Sequence, residues 1–452
     1  MNPPIHLPIV TIQPDFEQVI SDINSGLVPN ESFWISCYKS GETTVHGKVH
    51  ATLDERDRNL VRFEGQGGVD FKSAHDRVYT AACSGMRIEH TRTVLPTKSY
   101  ADPLPLNASG QRRKIAAFDV APDGSQFAAG YDDGLVYIVP TASSNPSVCT
   151  TSKAHLNSVT SLRFFPSSRA LLTAGVDFSL SILSAEVPSP SPNSSGPTAS
   201  RIDPVRTFKG HSRAVTSGAI ISRGRNVLSS SKDGTVRLWD VPSGTQIRSL
   251  GVAGFIPALA MSVGERGEGA FSQPPDGEEG AKPTPFDERE VETAEKVVFC
   301  ALNDGTFQAF DLGTKQSIFH SAAQRGSSAL CSIAYAPSSS LVATGSNAGI
   351  INVYDTRSLG TPLTSFSRNG ASVEELTFVS SSFGNKEPGL AVATEDGLPY
   401  VVGVRPEGPA VQAELVGTDC DAARCIRVGG SDGEVWTASD DGIVRKYEGL
   451  NM

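Results

Sequence analysis

The sequence lacks several features that mark large classes of proteins. Its 452 residues contain no cluster of Lys and Arg, and the formal net charge is −10. Nucleic acid is therefore an unfavourable partner, and a basic protein is a favourable one. No run of 18 apolar residues is present, so we expect no transmembrane helix. The opening residues MNPPIHLPIV have no basic start and no long apolar stretch, so we expect no signal peptide.

Cysteine is also sparse, and charge is modest. The seven cysteines are scattered and none forms a CxxC pair, which predicts reduced thiols and a location in cytoplasm and nucleus. Charged residues make up 19% and hydrophobic residues 38% of the chain, enough for a core. Gly (43) and Pro (29) are abundant, as is typical of short strands joined by tight turns.

The chain does contain an internal repeat from about residue 114 to its end. Each copy has a β run, a turn, a run ending in small residues, an acidic-Gly turn and a β-branched or aromatic run. The clearest copy is residues 210–240. There are seven copies, and their turns fall at Asp133, Asp177, Asp233, Asp304, Ala348, Asp396 and Asp441. Where nothing is inserted, the spacing approaches the roughly 40–45 residues of a four-stranded propeller blade. The repeat predicts an all-β fold, a seven-bladed β-propeller.

The repeat also divides the chain. We expect a small β-rich N-terminal domain at residues 1–95, a linker at 96–113 and the propeller at 114–450, with low-complexity inserts at 187–200 and 262–290 as mobile loops. In the N-terminal part, residues 14–23 predict an amphipathic helix, and the stretch through Ser40-Gly41 predicts a hairpin. The last blade needs an outer strand from before the first repeat, and Met86–Leu95 is our candidate.

One copy carries residues that can lock a blade of the WD40 type, to which the repeat is similar. In such a blade a His, a strand Ser or Thr, a turn Asp and a Trp form a buried hydrogen-bonded chain. The matching residues here are His211, Ser229 or Ser231, Asp233 and Trp239. A buried imidazole or carboxylate without a partner costs a few kcal/mol, so these groups need one another. His155 with Asp177 is a partial second copy.

The acidic turns join the second and third strands of each blade and should therefore share one face with the segments that lead into each blade. We predict an acidic partner-binding face there. Its residues are Asp132, Asp133, Asp304, Glu374, Glu375, Glu395, Asp396, Asp419, Asp421, Asp440 and Asp441. For any one of these acids, the alternative interpretation is that it only forms a turn and binds no partner.

No catalytic constellation is recognisable. The segment Gly429–Gly433 matches GxSxG, but no His follows Ser431 and the flanking residues predict strands, so a nucleophile elbow is excluded. His46 and His50 lie in a predicted strand, where they do not converge on a metal. We therefore expect neither an enzyme nor a site for a cofactor or metal. The alternative, a propeller hydrolase, needs more converging His than the sequence supplies.

Three stretches of the chain resemble the proteasomal ATPase-associated factor family of WD-repeat proteins: residues 207–240, 288–305 and 415–450. The N-terminal WISCYKSGETTVHGKV also resembles the start of that family. The resemblance implies an assembly chaperone that binds the C-terminal domains of ATPase subunits in the proteasome base, with no membrane or nucleic acid partner. We expect a monomer when the chain is free. The alternative is a substrate receptor of a ubiquitin ligase, weakly suggested by Asp355-Thr356-Arg357.

Overall fold

The chain forms a closed ring of seven small β-sheets. The computed structural model describes all residues except 1–2, 55–56, 58–59, 76, 103, 105–109, 111, 143–148, 187–199, 268–286, 324–325, 380–387, 406–407, 419, 430–432 and 451–452. Every sheet of the ring contains four antiparallel strands, and the first strand of each sheet contacts the first strand of the next around the whole ring, including the last with the first. The fold is therefore a seven-bladed β-propeller, as predicted.

The blades follow one another in chain order. Blades 1 to 3 consist of β10 (Ile115–Val120), β11 (Gln126–Tyr131), β12 (Val136–Pro140) and β13 (Thr150–Ser152); β14 (Val159–Phe164), β15 (Ala170–Gly175), β16 (Ser179–Ser184) and β18 (Arg206–Lys209); and β19 (Val215–Ile221), β20 (Asn226–Ser231), β21 (Thr235–Asp240) and β22 (Thr245–Gly251). A two-residue strand, β17 (Ser200–Arg201), pairs with the outer edge of blade 1.

The remaining blades repeat the arrangement. Blades 4 to 7 consist of β23 (Ala258–Glu265), β24 (Lys296–Leu302), β25 (Phe307–Asp311) and β26 (Gln316–His320); β27 (Leu330–Ala336), β28 (Leu341–Ser346), β29 (Ile350–Asp355) and β30 (Thr364–Ser367); β31 (Val373–Val379), β32 (Gly389–Thr394), β33 (Tyr400–Arg405) and β34 (Gly408–Leu415); and β35 (Ala423–Gly429), β36 (Glu434–Ser439), β37 (Ile443–Tyr447) and β9 (Lys98–Ala101).

Burial explains why small and apolar residues dominate the second strands. In β11, β20, β28 and β32 every residue is buried, because neighbouring blades cover both faces of the sheet. The first strands alternate instead, as in β14, where Val159 and Leu162 are buried between blades 1 and 2. The core is thus a series of clusters between adjacent blades rather than one central mass.

The strand that closes the ring is not the predicted one. The outer position of blade 7 is taken by β9, which pairs antiparallel with β37, Ile443 opposite Ala101. This strand lies within residues 96–113, so their prediction as a linker was wrong. The candidate Met86–Leu95 falls mostly in another strand, which pairs with blade 6. The repeat pattern does not reveal β9, because a four-residue edge strand carries almost no alternation of its own.

The N-terminal residues form a helix and further strands. They are β1 (Ile5–His6), β2 (Ile9–Ile12), α1 (Phe16–Asn24), β3 (Asn30–Tyr38), β4 (Val45–Leu53), β5 (Val61–Gln66), β6 (Val69–His75), β7 (Val78–Cys83) and β8 (Ile88–Val94). The predicted helix is confirmed, with its apolar side buried against β3 and β4. The predicted hairpin through Ser40-Gly41 is confirmed as β3 and β4.

Strands from this region also extend two blades. The strand β8 pairs in parallel with β34 of blade 6, and β7 and β6 continue that sheet outwards. Likewise β1 pairs in parallel with β30 of blade 5. A buried ion pair fixes the junction: Arg368 Nη2 lies 2.5 Å from Glu414 Oε1, and the same oxygen accepts the Val10 N–H at 3.1 Å. Covering these edges removes sites at which another chain could pair.

Some residues at the ends of the two predicted inserts belong to strands. Ser262–Glu265 belong to β23, and Ser200 belongs to β17. Glu290 is buried, where its carboxylate accepts hydrogen bonds from Arg248 and lies 3.1 Å from Lys315 Nζ. The prediction of loop was therefore wrong for Ser262–Glu265 and Ser200. Residues 287–290 lie outside any strand, as predicted, and low apolar content did not prevent the burial of Glu290 with its cations. Residues 187–199 and 268–286 lie outside the described residues.

Candidate functional site

One face of the ring carries the acidic-Gly turns. We call the turns between the second and third strands the upper turns, the segments that precede each first strand the lead-in segments, and the surface that they form the upper face. Six of the seven upper turns pack against the lead-in segment of the following blade. Six upper turns have a glycine with positive φ at this contact: Gly134, Gly234, Gly305, Gly349, Gly397 and Gly442. A Cβ at Gly134 would lie 2.3 Å from the His155 carbonyl oxygen, so only glycine fits.

In blade 3 a chain of polar side chains connects the lead-in segment to the third strand. His211 Nδ1 lies 2.8 Å from Asp233 Oδ2, and His211 Nε2 lies 2.7 Å from Ser229 Oγ. Trp239 Nε1 donates to the same Ser229 oxygen at 2.8 Å. Of the two serines considered, Ser229 therefore belongs to the chain. Ser231 instead donates to the backbone of the lead-in segment at 3.1 Å.

The surroundings of this hydrogen-bonded chain determine the protonation states of His211 and Asp233. Burial lowers the pKa of His211 and thus favours the neutral imidazole, against the opposing effect of Asp233. Burial alone would raise the pKa of Asp233, but hydrogen bonds from Thr235 and His211 hold it below its usual value. A charged Asp233 and a neutral His211 make the chain a structural link that leaves neither group for a partner.

Blade 2 contains a shorter version of the chain. His155 Nδ1 lies 3.0 Å from Asp177 Oδ1, and His155 Nε2 lies 2.9 Å from Thr173 Oγ1. The second oxygen of Asp177 accepts the Leu156 N–H at 3.0 Å. The third strand has no tryptophan at the position of Trp239 in blade 3. The partial copy that the sequence suggested is thus present as a three-membered chain.

Three of the acids predicted for the binding face are paired with cations. Asp133 Oδ2 lies 3.3 Å from Arg113 Nη1. Asp440 accepts from Arg424 at 2.9 Å and from Lys114 at 3.0 Å, and Asp441 pairs with Arg445. These carboxylates lie in upper turns, as expected, and each already pairs with a cation of the chain. Arg113 is shared, since its Nη2 also lies 2.7 Å from the buried Asp102.

Two further acids lie in the channel rather than at the edge of the upper face. Glu374 and Glu375 belong to the first strand of blade 6, and both line the central channel. Glu374 Oε2 lies 2.9 Å from Arg424 Nη1, and Glu375 pairs with Arg427. Their assignment to the acidic face was wrong. A β-bulge after Val373 explains how two consecutive side chains reach the same side.

The other predicted acids remain on the upper face. Glu395 and Asp421 are exposed, and the carbonyl oxygen of Asp421 would lie 2.5 Å from a Cβ at Gly397. The upper turn of blade 6 and the lead-in segment of blade 7 therefore bring Glu395, Asp396 and Asp421 together. We call these three residues the acidic sector. Asp132 and Asp304 lie alone on blades 1 and 4, and Asp419 lies outside the described residues.

Between blades 1 and 4 the upper face has the opposite charge. Lys153, Arg213 and Lys232 are exposed there, and the nearby Asp177 and Asp233 are bound by histidines. The predicted acidic residues consequently do not form a continuous ring. The negative charge that can meet a partner is concentrated at blades 6 and 7.

The channel of the ring contains a cavity of about 800 Å³ that sequence reasoning did not single out. Arg427 Nε lies 3.2 Å from Asp119 Oδ1, and Arg163 lies 3.8 Å from Glu375. Burial alone would lower the pKa of Arg427, but Glu375 and Asp119 raise it, whereas burial and Arg427 lower that of Arg163. The sequence does carry a signal for these arginines, since Arg163 directly follows the buried Leu162 and Arg427 directly follows the buried Ile426, each in a first strand. Adjacent residues of a strand face opposite sides, so each arginine faces the channel.

Among the described residues, no group of three or more His, Cys, Asp or Glu side chains is placed to hold a metal ion. His46 and His50 each contact a serine of β3, at 2.7 Å and 3.0 Å. No helix in the described part of the chain has the length and apolarity needed to cross a membrane.

Comparison with known protein families finds WD40 repeats (WD domain, G-beta repeat) at residues 147–183, 202–240 and 317–355. Each matched segment covers the fourth strand of one blade and the first three strands of the next. No curated protein matches the chain. Three WD40 repeats therefore lie within the seven-bladed ring, and WD40 repeats imply a scaffold for protein interactions.

Proposed function

We propose that this WD40-repeat chain is an assembly chaperone that binds the C-terminal domain of an ATPase subunit of the proteasome base through its acidic sector. The coarser role, a protein-interaction scaffold, follows from the repeats. The finer role rests on the resemblance of residues 207–240, 288–305 and 415–450 to the proteasomal ATPase-associated factors. We propose that the chain acts as a monomer in cytoplasm and nucleus.

The observation that carries the proposal is the location of unneutralised acid on the upper face. Glu395 is exposed, and Asp396 accepts hydrogen bonds from the neutral groups Asn369 Nδ2 at 2.6 Å and Leu398 N–H at 3.1 Å. Asp133, Asp440 and Asp441 are instead paired with cations. Hydrogen bonds from neutral groups leave the negative charge of a carboxylate in place, so Glu395 and Asp396 can steer and orient a basic client. The stretch 415–450, which carries part of the resemblance, contains Asp421 and leads directly into blade 7.

The distribution of charge also predicts how the client binds. Contacts at the edge of an interface contribute roughly 0–1 kcal/mol each and mainly accelerate association. Binding through the acidic sector should therefore weaken steeply with salt, because the charges are exposed and screened over about 8 Å at physiological ionic strength.

The test is a pulldown of the full chain with the six isolated C-terminal domains of the ATPases, at low and at high salt. We expect capture of one domain, weakened by salt and lost in the triple variant Glu395→Gln, Asp396→Asn, Asp421→Asn. The matched control, Glu31→Gln, Glu64→Gln, Glu89→Gln, removes the same charge from exposed residues of the N-terminal strands and should bind like the wild type.

Two outcomes would overturn the proposal: capture of none of the six domains, or equal capture by the two triple variants. Copurification with scaffold subunits of a ubiquitin ligase, in place of the proteasome base, would favour the substrate receptor instead. The motif that suggested this alternative lies on the opposite face, where Arg357 Nε donates to Asp355 of the same turn at 2.8 Å.

A further inference from the structure

The upper face carries a second surface, over blades 2 to 4, that differs from the acidic sector. Three large apolar side chains are exposed there: Leu156 by 88%, Phe178 by 46% and Phe255 by 68%. Leu156 and Phe255 belong to lead-in segments, and Phe178 belongs to the upper turn of blade 2. We call these three residues the apolar sector.

The backbone at both phenylalanines is in the left-handed region. Phe178 has φ +70° and Phe255 has φ +51°, a conformation that is unfavourable for a bulky residue. Phe178 stands where the other six upper turns have glycine with a similar φ. Glycine at position 178 would relieve the strain at little loss of packing, because the phenyl ring of Phe178 is half exposed. Strain retained at an exposed aromatic residue is therefore a reason to look for a binding role.

Backbone contacts hold Leu156 and Phe255 against the upper turns of blades 2 and 3. The Leu156 N–H donates to Asp177 Oδ2 at 3.0 Å, next to Phe178. The lead-in segment of blade 3 is fixed to the following upper turn, since Lys232 N donates to the Ala214 carbonyl at 2.9 Å. A Cβ at Gly234 of that turn would lie 2.4 Å from the backbone of Phe255.

The charges within the apolar sector are positive. Arg213 and Lys232 are exposed between Phe178 and Phe255, and Lys153 is exposed three residues before Leu156. The two acids in the same region, Asp177 and Asp233, have both oxygens occupied by histidine, backbone or hydroxyl groups. Within the part of the chain that the structure describes, no ion pair neutralises these cations, so apolar anchors and unpaired positive charges lie on the same surface.

We propose that the apolar sector binds an acidic protein segment with large apolar side chains, which insert beside Phe178 and Phe255 while its carboxylates meet Arg213 and Lys232. Aromatic and aliphatic anchors supply most of the affinity of such interfaces, and the surrounding charges select the partner. This binding is separate from the proposed function, which uses carboxylates at blades 6 and 7 and a client of opposite charge.

Binding is measured by fluorescence anisotropy with the full chain and three labelled dodecapeptides. The acidic probe alternates pairs of Glu with Leu or Trp, the basic probe has Lys in place of Glu, and the polar probe has Ser in place of Leu and Trp. We expect the acidic probe to bind at least about tenfold more tightly than either of the others.

The variants Phe178→Gly and Phe255→Gly separate a binding role from a structural one. Each should weaken binding of the acidic probe at least about tenfold, while the thermal midpoint stays the same or rises, because glycine adopts positive φ without strain. The double variant Arg213→Gln, Lys232→Gln should flatten the salt dependence of binding. Leu27→Ala, at an exposed apolar residue outside the upper face, should bind like the wild type.

The proposal falls if the acidic probe binds no more tightly than the basic one, or if both glycine variants keep the wild-type affinity. It also falls if sedimentation equilibrium shows a dimer that Phe178→Gly dissociates, since a second copy of this chain would then occupy the sector. Loss of client binding in the acidic-sector variant with normal binding of the acidic probe would leave this inference intact.

Discussion

The channel wall and the acidic sector both carry carboxylates, yet their surroundings differ. In the channel, Glu375 pairs with Arg427, and Arg427 also contacts Asp119. On the upper face, Glu395 is exposed and belongs to a turn. A charge removed from water needs a partner, whereas an exposed charge is solvated and screened. The comparison teaches that an acid in a first strand is part of the fold, whereas an exposed upper-turn acid such as Glu395 is available to a partner.

The largest effect is expected in the channel. Arg427→Met leaves Asp119 and Glu375 without their closest cation and should lower the free energy of unfolding by about 3–5 kcal/mol. The shift in the midpoint of urea unfolding measures it. The double variant Arg427→Met, Glu375→Gln removes one of the stranded charges and should recover part of the loss. A single variant as stable as the wild type would show that the channel charges do not need one another.

A smaller loss is expected in the polar chain of blade 3. Asp233→Ala removes the acceptor of His211 and should cost about 2–3 kcal/mol, because a buried donor is left unsatisfied. The control is Asp304→Ala, at the same turn position in blade 4. Asp304 bonds to Thr306 of its own turn, so its loss should cost about 1 kcal/mol or less. If the two variants lost the same free energy of unfolding, the polar chain of blade 3 would add no stability beyond that of the turn.

The polar chain of blade 3 also predicts that the stability of the fold depends on pH. Burial lowers the pKa of His211 in the folded state, so the unfolded chain takes up the proton first as the pH falls below about 6.5. Stability from this group is complete above that pH and declines as the pH falls towards the folded pKa. The urea midpoint of the wild type should therefore decrease between pH 7.5 and 5 more than that of His211→Asn. Parallel profiles would contradict this assignment.

The smallest effect on stability is expected in the acidic sector. Glu395→Gln changes an exposed carboxylate in a turn, and the free energy of unfolding should change by less than about 0.5 kcal/mol. Its effect should appear in client binding alone. A large loss of stability in the urea experiment would mean that Glu395 belongs to the fold, as Glu375 does.

The sequence was most informative where a signal is local and repeated. Spacing and turn residues such as Gly134 and Gly234 predicted the seven blades, because each blade has to turn in the same way. The residues of the blade 3 chain were recognisable for the same reason. These residues all belong to one blade, with His211 before its first strand and Trp239 in its third strand, so the blade itself sets their spacing.

The sequence was least informative where pairing depends on distant residues. The closing strand β9 consists of the four residues KSYA and is defined by β37, which lies more than 300 residues later in the chain. Glu374 was assigned to the edge of the upper face because a local pattern does not show that the strand begins at Val373. Ion pairs such as Arg427 with Asp119 join first and last blades, so no window of sequence contains both partners.

The most direct test of the account compares association rates of the client domain at increasing ionic strength. The chains are the wild type, Glu395→Gln with Asp396→Asn, and Glu31→Gln with Glu64→Gln. We predict a slower association and a flatter salt dependence for the first pair of substitutions, and wild-type rates for the second. If the first pair associates like the wild type, the acidic sector does not receive the client, and the proposed mode of binding is contradicted.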